Sequence, residues 1–364
     1  MSRLHVRPKP GETSGFRTGP VTVRPPATSA NLGPGFDAFG LALELRDEVV
    51  VEALDEPGLA VEVDGEGAGE VPLDEEHLLV RSLRAGFDAL GGQPAGLRVR
   101  CHNRIPHGRG LGSSSAAICA GLAAARALAG GGASVLDDDA LLDLATRIEG
   151  HPDNVAPALR GGLTVAWTED DGGREPGGHG HGQDADSAGT GPEPPRRADR
   201  QHEHMRAFAQ RLTPDPSVSA VVFIPPNRLA TAVARGLLPS EVPHRDAAAN
   251  AGRAGLLIAA LTTPDLTDRH RAVLLHAATR DRLHQDYRAP AMPDSAALIR
   301  LLRADGFAAA VSGAGPTVIV LTAGPAGPRE AAAYAPQGWR VTVLTIAAAG
   351  VLTGPGGGVV TDTP

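Results

Sequence analysis

One stretch decides the fold: Ile105-Pro106-His107-Gly108-Arg109-Gly110-Leu111-Gly112-Ser113-Ser114-Ser115-Ala116. The predicted strand Leu97–Cys101 precedes it, and the alanine-rich predicted helix Ser113–Leu128 begins inside it. Three glycines at alternate positions let the backbone bend and approach a ligand closely. Three serines then open the helix, where free backbone N–H groups and the positive end of the helix dipole favour an anion. The stretch predicts a phosphate site, although an ordinary glycine-rich loop with capping serines has the same composition.

Two other glycine motifs fit this stretch less well. A dinucleotide-binding fingerprint needs a third glycine where Ser113 stands, and the loop before the helix is long and contains Pro106. The nucleophile elbow of serine hydrolases needs Gly-x-Ser-x-Gly, which does not occur in this stretch. A phosphate site built from backbone groups therefore remains the favoured interpretation.

Lysine is nearly absent from the chain. The single lysine, Lys9, lies in a proline- and glycine-rich N-terminal stretch. A Walker A loop, a protein kinase and a pyridoxal phosphate enzyme each need a lysine at the reaction centre. The sequence therefore argues against these three classes, and any phosphate must be held by backbone groups, helix dipoles, arginines and metal.

Composition narrows the class of protein further. The chain has 364 residues, of which 42% are hydrophobic, and this suggests about two domains with a sizeable core. Its net charge of −8 argues against nucleic-acid binding and against a basic membrane-surface protein. Cys101 and Cys119 form no CxxC pair, and no long apolar run occurs, so a cytoplasmic location without a membrane partner is predicted.

Shifts in composition predict the domain boundaries. Residues 1–20 are predicted to be a disordered leader, and residues 350–364 a loose tail. Residues 21–167 and 206–349 mix strands and helices without strict alternation, which indicates two α+β domains. Between them, residues 168–205 are polar and predict a flexible insertion. A metal site is the alternative there, because the insertion carries four histidines: His179, His181, His202 and His204.

Hydrophobic periodicity and turn residues predict the main elements. Predicted strands are Val21–Arg24, Leu43–Leu54, Leu97–Cys101, Leu163–Trp167, Ser219–Ile224, Phe307–Val311, Thr317–Leu321 and Arg340–Thr345. Predicted helices are His77–Leu90, Ser113–Leu128, Ala140–Glu149, Arg245–Leu261, Arg269–His276 and Ser295–Ala304.

The glycine-rich stretch resembles the ATP-binding signature of the GHMP kinases, Pro-x-x-x-Gly-Leu-Gly-Ser-Ser-x-Ala. Every fixed position matches: Pro106, Gly110, Leu111, Gly112, Ser113, Ser114 and Ala116. Two further family segments occur in order, Pro-Ala-Thr-Ser-Ala-Asn-Leu-Gly-Pro-Gly-Phe-Asp at 26–37 and Ser-Gly-Ala-Gly-Pro-Thr at 312–317. The resemblance covers about residues 21–346 apart from the insertion.

Within that family the chain is similar to the homoserine kinases, on segment 26–37 and on Glu-Gly-His-Pro-Asp-Asn-Val-Ala-Pro-Ala at 149–158. The resemblance implies that ATP and L-homoserine give ADP and O-phospho-L-homoserine, which feeds threonine synthesis. It also implies a ribosomal-S5-domain-2-like N-terminal domain, a ferredoxin-like C-terminal domain and ligands in the cleft between them. A homodimer is one assembly to test.

The same resemblance assigns the ligand contacts. It assigns ATP binding to the whole stretch 106–116, including His107, Gly108, Arg109 and Ser115. A second glycine-rich turn lines the site, although it could be a plain connection between strands: Ser312, Gly313, Ala314 and Gly315. Mg²⁺ falls to Glu149 and the Ser114 hydroxyl. Many relatives carry an acidic residue where this chain has Arg147, and Asp143 is the alternative ligand if that earlier position binds the metal.

Arginine suits the substrate carboxylate, because its planar fork matches two oxygens. Arg235 and Arg288 are the pair that the resemblance offers, with Thr231 beside the first; solvated surface charge is the alternative. Asn31 and Asp37 would hold the hydroxyl in line with the γ-phosphate, or only organise the local turns.

His151 and Asn154 lie three residues apart, so both could face the substrate, and His151 could equally be structural. Asp37 is either a general base or only orients the hydroxyl. Two other functions stay open: a GHMP kinase for another small alcohol, and a ligand sensor that no longer transfers phosphate.

Overall fold

The computed structural model describes residues 15–170 and 205–355. Strands before the gap are β1 (Val21–Arg24), β2 (Pro26–Asn31), β3 (Gly35–Arg46), β4 (Glu48–Leu54), β5 (Gly58–Gly65), β6 (Gly96–Asn103) and β7 (Leu163–Asp170). Helices before the gap are α1 (Leu78–Ala89), α2 (Ser113–Leu128), α3 (Gly132–Val135), α4 (Asp138–Glu149) and α5 (Pro152–Arg160).

The part of the chain after the gap has its own strands and helices. Its strands are β8 (Met205–Leu212), β9 (Val218–Ile224), β10 (Ala308–Val311), β11 (Val318–Ala323), β12 (Arg340–Thr345) and β13 (Leu352–Pro355). Its helices are α6 (Thr231–Gly236), α7 (His244–Thr262), α8 (Asp268–Ala278), α9 (Gln285–Arg288), α10 (Pro293–Ala304) and α11 (Gly327–Ala332), with a 3₁₀ turn at Ala289–Ala291.

The first sheet has the strand order β13-β1-β4-β6-β5. Its pairs are antiparallel except β5 and β6, which are parallel and are joined through α1. Burial alternates along β6, so Leu97 and Val99 lie in one core with Leu83 and Phe87 of α1. Helix α2 packs closely on α1 at Gly121, where glycine leaves room for the contact. A Cβ there would lie only 2.7 Å from the Leu79 carbonyl oxygen.

The second sheet has the order β2-β3-β7-β8 and is antiparallel throughout. Helix α5 lies on it, and Gly40 of β3 makes that approach possible, since a Cβ there would lie 2.0 Å from the Asp153 carbonyl oxygen. The third sheet, β10-β11-β9-β12, follows the β-α-β-β-α-β order of a ferredoxin-like domain. The α+β two-domain prediction and the ferredoxin-like C-terminal part are confirmed.

The second and third sheets share a hydrophobic core. One cluster of buried side chains includes Leu41 from β3, Val222 from β9 and Leu257 from α7. The two halves of the chain are therefore packed together along the cleft that carries the candidate site.

The structure corrects several boundaries. Strand β8 pairs with β7, so residues 205–212 belong to the N-terminal body and not to the C-terminal domain. The predicted tail is not wholly loose, because β13 completes the backbone hydrogen bonds at the edge of β1. Phe16 of the predicted leader forms a bridge with Ala129 and packs edge-on against Phe87.

Other differences concern elements between the motifs. The predicted strand Leu43–Leu54 is two strands, interrupted at Asp47, whose carboxylate accepts hydrogen bonds from the backbone of Arg104 and Ile105. Helix α5 and strand β5 were not predicted. Residues 168–170 of the predicted insertion extend β7, whereas its histidines, at 171–204, lie outside the described residues. No helix in the described ranges is long and apolar enough to cross a membrane.

Candidate active site

Three segments that are far apart in sequence meet at one point. Ser312 Oγ lies 2.6 Å from the Gly110 carbonyl oxygen and 2.8 Å from Ser29 Oγ. The Gly313 N–H donates to the Ala30 carbonyl oxygen at 3.1 Å. Gly110 has a φ of +78°, and a Cβ there would lie 2.2 Å from the Ser312 carbonyl oxygen, so only glycine fits. The segments 26–37, 106–116 and 312–317 therefore build one site together.

The loop before α2 presents the start of that helix to a cavity. Gly112 is the N-cap residue, with a φ of +69°, and a Cβ there would lie 1.9 Å from Thr28 Oγ1. No side chain caps the helix, so the first backbone N–H groups, at Ser113–Ser115, have no partner inside it. These N–H groups and the helix dipole favour an anion such as phosphate.

The serine hydroxyls contact a carboxylate instead of capping the helix. Ser114 Oγ and Ser115 Oγ each donate to Glu149 Oε1 at 2.7 Å. Ser115 is fully buried, whereas Ser114 and Glu149 line the cavity. The two residues that the resemblance assigns to Mg²⁺ are thus direct neighbours.

A cavity of about 220 Å³ lies between α2, α4, α5 and α6. Most of the predicted site residues line it: Asn31, Asp37, Gly108, Gly110, Gly112, Ser113, Ser114, Glu149, His151, Asn154, Thr231, Arg235, Arg288, Gly313 and Ala314. Its wall also contains Asp153, Leu229 and Ala230, which were not predicted. The signal for Asp153 was present, since it stands between His151 and Asn154 in a motif segment.

Asp37 and Arg235 form an ion pair in this cavity. Arg235 Nη2 and Nη1 donate to the two carboxylate oxygens of Asp37 at 2.8 and 3.1 Å. The Asp37 backbone N–H donates to Asn31 Oδ1 at 2.9 Å, and Asn31 Nδ2 donates to the Gly313 carbonyl oxygen. Asn31, Leu32 and Asp37 all have positive φ, a strained conformation that the surrounding contacts hold in place. Asn31 therefore positions Asp37.

Arg288 is buried at the same cavity without a carboxylate partner among the described residues. Only 1% of it is exposed, its Nη1 lies 3.3 Å from His284 Nδ1, and its Nε has no hydrogen-bond partner. The guanidinium lies over the Phe36 ring, with 5.2 Å from Cζ to the ring centroid. Burial and the charge of Arg235 lower the pKa of Arg288. A buried cation of this kind is stabilised by an anionic ligand.

The neutral ring of His284 supports Arg288. Its Nε2 donates to the Gly33 carbonyl oxygen at 2.8 Å, which leaves Nδ1 to accept from Arg288. Burial lowers the pKa of His284, in agreement with a neutral ring. Gly33 itself has a φ of +88°, and a Cβ there would lie 2.5 Å from the Thr279 carbonyl oxygen.

His151 is held by a carboxylate. Its Nδ1 lies 2.5 Å from Asp153 Oδ1, and Asp153 is 2% exposed. Burial of the ring opposes protonation, but the hydrogen bond and charge of Asp153, with the charge of Glu149, together raise the pKa of His151. Asn154 Oδ1 accepts from Thr28 Oγ1 at 2.8 Å, so Asn154 also ties α5 to β2.

Some predicted ATP contacts have other neighbours. Arg109 Nε and Nη2 donate to the carbonyl oxygens of Pro225 and Pro226 at 3.0 and 2.9 Å, so its side chain joins the loop to the C-terminal domain. Other predicted members that do not line the cavity support it from behind: Pro106, Leu111, Ser115, Ser312 and Gly315.

A second cavity, of about 280 Å³, adjoins the first through Ser113 and Ser114. Its wall is mainly apolar, with Val49, Leu79 and Ala117 among its members. The predicted residues His107 and Ala116 line it as well. The start of α2 thus lies between a polar cavity and an apolar one.

The alternative metal ligand has another role. Asp143 Oδ1 accepts from the Ala207 backbone N–H at 2.6 Å and so anchors β8 to α4. It does not line the 220 Å³ cavity, and Arg147 is exposed. In the described ranges, no group of three or more His, Cys, Asp or Glu residues could hold a metal by itself.

Comparison with known proteins decides the family. The model of the GHMP kinases N terminal domain matches residues 77–162, and that of the GHMP kinases C terminal matches residues 257–340. The homoserine kinase of Streptomyces avermitilis is 53% identical over 335 residues, which cover 92% of this chain and 96% of that protein. The chain belongs to the homoserine kinases of the GHMP kinase family. The homoserine kinase of Streptomyces coelicolor is 56% identical over 84% of this chain and 85% of its own length.

The fold of a homoserine kinase is also shared. The crystal structure of the enzyme from Cytophaga hutchinsonii superposes with a TM-score of 0.70 at 22% identity, over 96% of this chain and 100% of that one. The family and the GHMP fold that the motifs predicted are both confirmed.

Proposed function

We propose that the chain transfers the γ-phosphoryl group of ATP to the side-chain hydroxyl of L-homoserine, giving O-phospho-L-homoserine and ADP. Family membership supports the reaction class and the substrate. Arg288 carries the argument at the site, because a buried guanidinium without a carboxylate partner in the described chain opens into the cavity at the start of α2. A substrate carboxylate completes its ion pair. The product feeds threonine synthesis.

ATP spans the two adjoining cavities in this proposal. The apolar 280 Å³ cavity takes the nucleoside, and the first N–H groups of α2 take the phosphates. Because the described chain contains no lysine, these backbone groups do the work that a lysine performs in other kinases.

The residues at the start of α2 also fit Mg²⁺. Ser114 Oγ and Glu149 Oε1 are hard oxygen ligands 2.7 Å apart, and Mg²⁺ binds few protein oxygens beside phosphates and waters. When bound, the metal neutralises charge on the phosphates. Glu149 and Ser114 hold it, and Ser115 fixes the Glu149 carboxylate from the buried side.

The substrate is oriented by its two ends. Arg288 and Arg235 bind the carboxylate, and Asp37 binds the hydroxyl. Both Asp37 oxygens accept from Arg235, and in this proposal Arg235 turns to the substrate carboxylate when substrate binds, which frees Asp37 for the hydroxyl. Such positioning supplies much of the rate in phosphoryl transfer.

A coupled ADP-release assay tests the proposal. Mg·ATP is offered with L-homoserine, L-serine, mevalonate or galactose. Selective turnover of L-homoserine is expected. Selective turnover of another alcohol would identify that alcohol as the substrate instead. ATP binding without turnover of any of the four would favour a sensor.

A cytoplasmic location and a homodimer stay predictions. Sedimentation of the purified chain tests the homodimer.

A further inference from the structure

A polar cavity of about 570 Å³ in the C-terminal domain lies outside the catalytic cleft. It lies among α7, the segment 279–289 and α10. Arginines dominate its wall: Arg253, Arg280, Arg282, Arg300 and Arg303. We call it the arginine cavity.

The carboxylates of the wall do not balance this charge. Asp246 Oδ1 accepts from Arg282 at 3.0 Å. The other four arginines of the wall are not paired with Asp246. The Asp281 carboxylate accepts from backbone N–H groups that follow it in the chain and lies 3.6 Å from the ring of His284. Asp286 is exposed. Among the described residues, none of the ion pairs includes Arg253, Arg280, Arg300 or Arg303.

Arg303 brings a partly buried positive charge to the cavity wall without a carboxylate partner among the described residues. Its guanidinium donates only to neutral oxygens, those of Thr279 Oγ1 and the carbonyls of Ala309 and His276, at 3.0, 2.9 and 2.7 Å. Burial, followed by the charges of Arg280 and Arg253, lowers the pKa of Arg303 to about 10. Like charges therefore repel one another across the cavity, and an anion between them would remove that repulsion.

The rest of the wall defines the chemistry of the ligand. Met292, Ala296 and Ile299 supply an apolar side, and guanidinium groups match the oxygens of phosphate. We propose that the arginine cavity binds a small organic phosphate, with its phosphate group among Arg253, Arg280, Arg300 and Arg303 and its organic part against the apolar side. This site is separate from the ATP site and does not depend on the proposed reaction.

The arginine cavity shares a segment with the catalytic cavity. Gln285 and Arg288 belong to the same short helix, α9, with Gln285 on the arginine cavity and Arg288 on the catalytic one. Asn250 adds a second connection, because its Oδ1 accepts from the Arg282 backbone and its Nδ2 donates to the Pro34 carbonyl oxygen at 2.7 Å. A ligand in the arginine cavity would therefore contact the short helix that carries Arg288.

Calorimetric titration tests the proposal with two probes, inorganic phosphate and O-phospho-L-serine. Saturating Mg·ADP and L-homoserine occupy the catalytic cavity throughout. The test variant carries R280Q and R300Q, two exposed positions, and the matched control carries R81Q and R329Q, which remove equal charge from exposed positions elsewhere. Circular dichroism and the melting temperature verify that all three proteins are folded.

The expected result is saturable binding of one O-phospho-L-serine per wild-type chain, tighter than that of inorganic phosphate. Binding should weaken by about tenfold or more in R280Q/R300Q, since charge-assisted contacts are lost, and stay unchanged in the control. Equal affinity for both probes would overturn the claim that the organic part of the ligand binds against the apolar side. No saturable binding, or binding that R280Q/R300Q leaves intact, would overturn the site.

Discussion

Arg235 donates to both carboxylate oxygens of Asp37, at 2.8 and 3.1 Å, in the 220 Å³ cavity at the start of α2. Side-chain exposures of 37% and 36% make this a half-exposed pair. Such pairs contribute only about 0–1 kcal/mol, so a substrate carboxylate can take Arg235 away from Asp37 at little cost. If Arg235 binds the substrate carboxylate as proposed, this binding is coupled to the release of Asp37.

Replacing Arg235 tests this exchange. In Arg235→Ala, the KM for L-homoserine should rise by about tenfold or more, because a charge-assisted carboxylate contact is lost. The KM for ATP should change little, since the Arg235 guanidinium contacts Asp37 and makes no contact with the serines at the start of α2. Steady-state kinetics with each substrate varied in turn measure both constants.

The matched control for that variant is Arg98→Ala, which removes another arginine paired with one carboxylate, Glu52, on the first sheet. It should leave both KM values unchanged. Equal increases in the two KM values of Arg235→Ala would remove Arg235 from the carboxylate site.

Asp37→Asn separates the two roles of this carboxylate. The amide keeps the size of the side chain and its position beside Asn31, but it cannot accept a proton. If Asp37 is a general base, kcat should fall by about 10²-fold or more while the KM for ATP is retained. A kcat within a few-fold of the wild-type value would show that Asp37 only orients the hydroxyl.

Part of the candidate site could be predicted from sequence, because three short motifs with fixed backbone requirements carry it: 26–37, 106–116 and 312–317. Gly110 and Gly112 have positive φ and no room for a Cβ, so the local backbone requires glycine at both positions. The Arg235–Asp37 pair was not predictable, because nothing in either motif specifies which anion an arginine meets across the cleft.

The missed elements have a different cause. Strand β13 is glycine- and proline-rich, and its pairing depends on the free edge of β1, which lies more than 300 positions away in the chain. Helix α5 contains Pro157 in its interior, which argues against a helix in the sequence, although Pro152 at its first position is compatible with one. It packs on β3 at Gly40, and such tertiary contacts override local preference.

Ser114→Ala and Ser115→Ala should differ although both hydroxyls donate to Glu149 Oε1 at 2.7 Å. Ser114 lines the cavity, so its loss should raise the Mg²⁺ concentration for half-maximal activity several-fold. Ser115 is buried, so its loss should lower the free energy of unfolding by about 1 kcal/mol and should change the Mg²⁺ requirement less than the loss of Ser114 does, since it affects only the position of Glu149. Similar Mg²⁺ curves for the two variants would contradict the assignment of Ser114 to the metal.

Asp47 should make stability depend on pH. Burial raises the pKa of its carboxyl from 3.8 to about 6, against the opposing hydrogen bonds from Ile105 and Arg104. Between these two values the folded chain binds more protons than the unfolded chain, so stability from this group falls as pH rises. The loss is about 3 kcal/mol across that window, at 1.36 kcal/mol per pH unit.

Asp47→Asn isolates this contribution, because the amide oxygen can still accept from both backbone N–H groups but the side chain does not ionise. Urea unfolding of both proteins without nucleotide should show the wild type losing stability relative to the variant from pH 4 to pH 7. A constant difference between the two proteins over that range would mean that Asp47 does not titrate with a raised pKa.

Deleting residues 172–198 should leave the fold and the activity nearly intact. Strands β7 and β8 are paired up to Asp170 and Met205, so the chain enters and leaves the deleted stretch at neighbouring positions of one sheet. The seven residues that remain between those ends, 171 and 199–204, suffice for a hairpin loop.

The melting temperature of the deletion variant should change by a few degrees at most, and kcat and the KM for L-homoserine should stay within about twofold. The control shortens the chain inside β8 instead, by removing residue 208, which shifts the register by one residue, turns the side chains that follow to the opposite face and should unfold that edge of the sheet. Loss of activity in the 172–198 deletion with an unchanged melting temperature would show that this stretch serves the reaction rather than the fold.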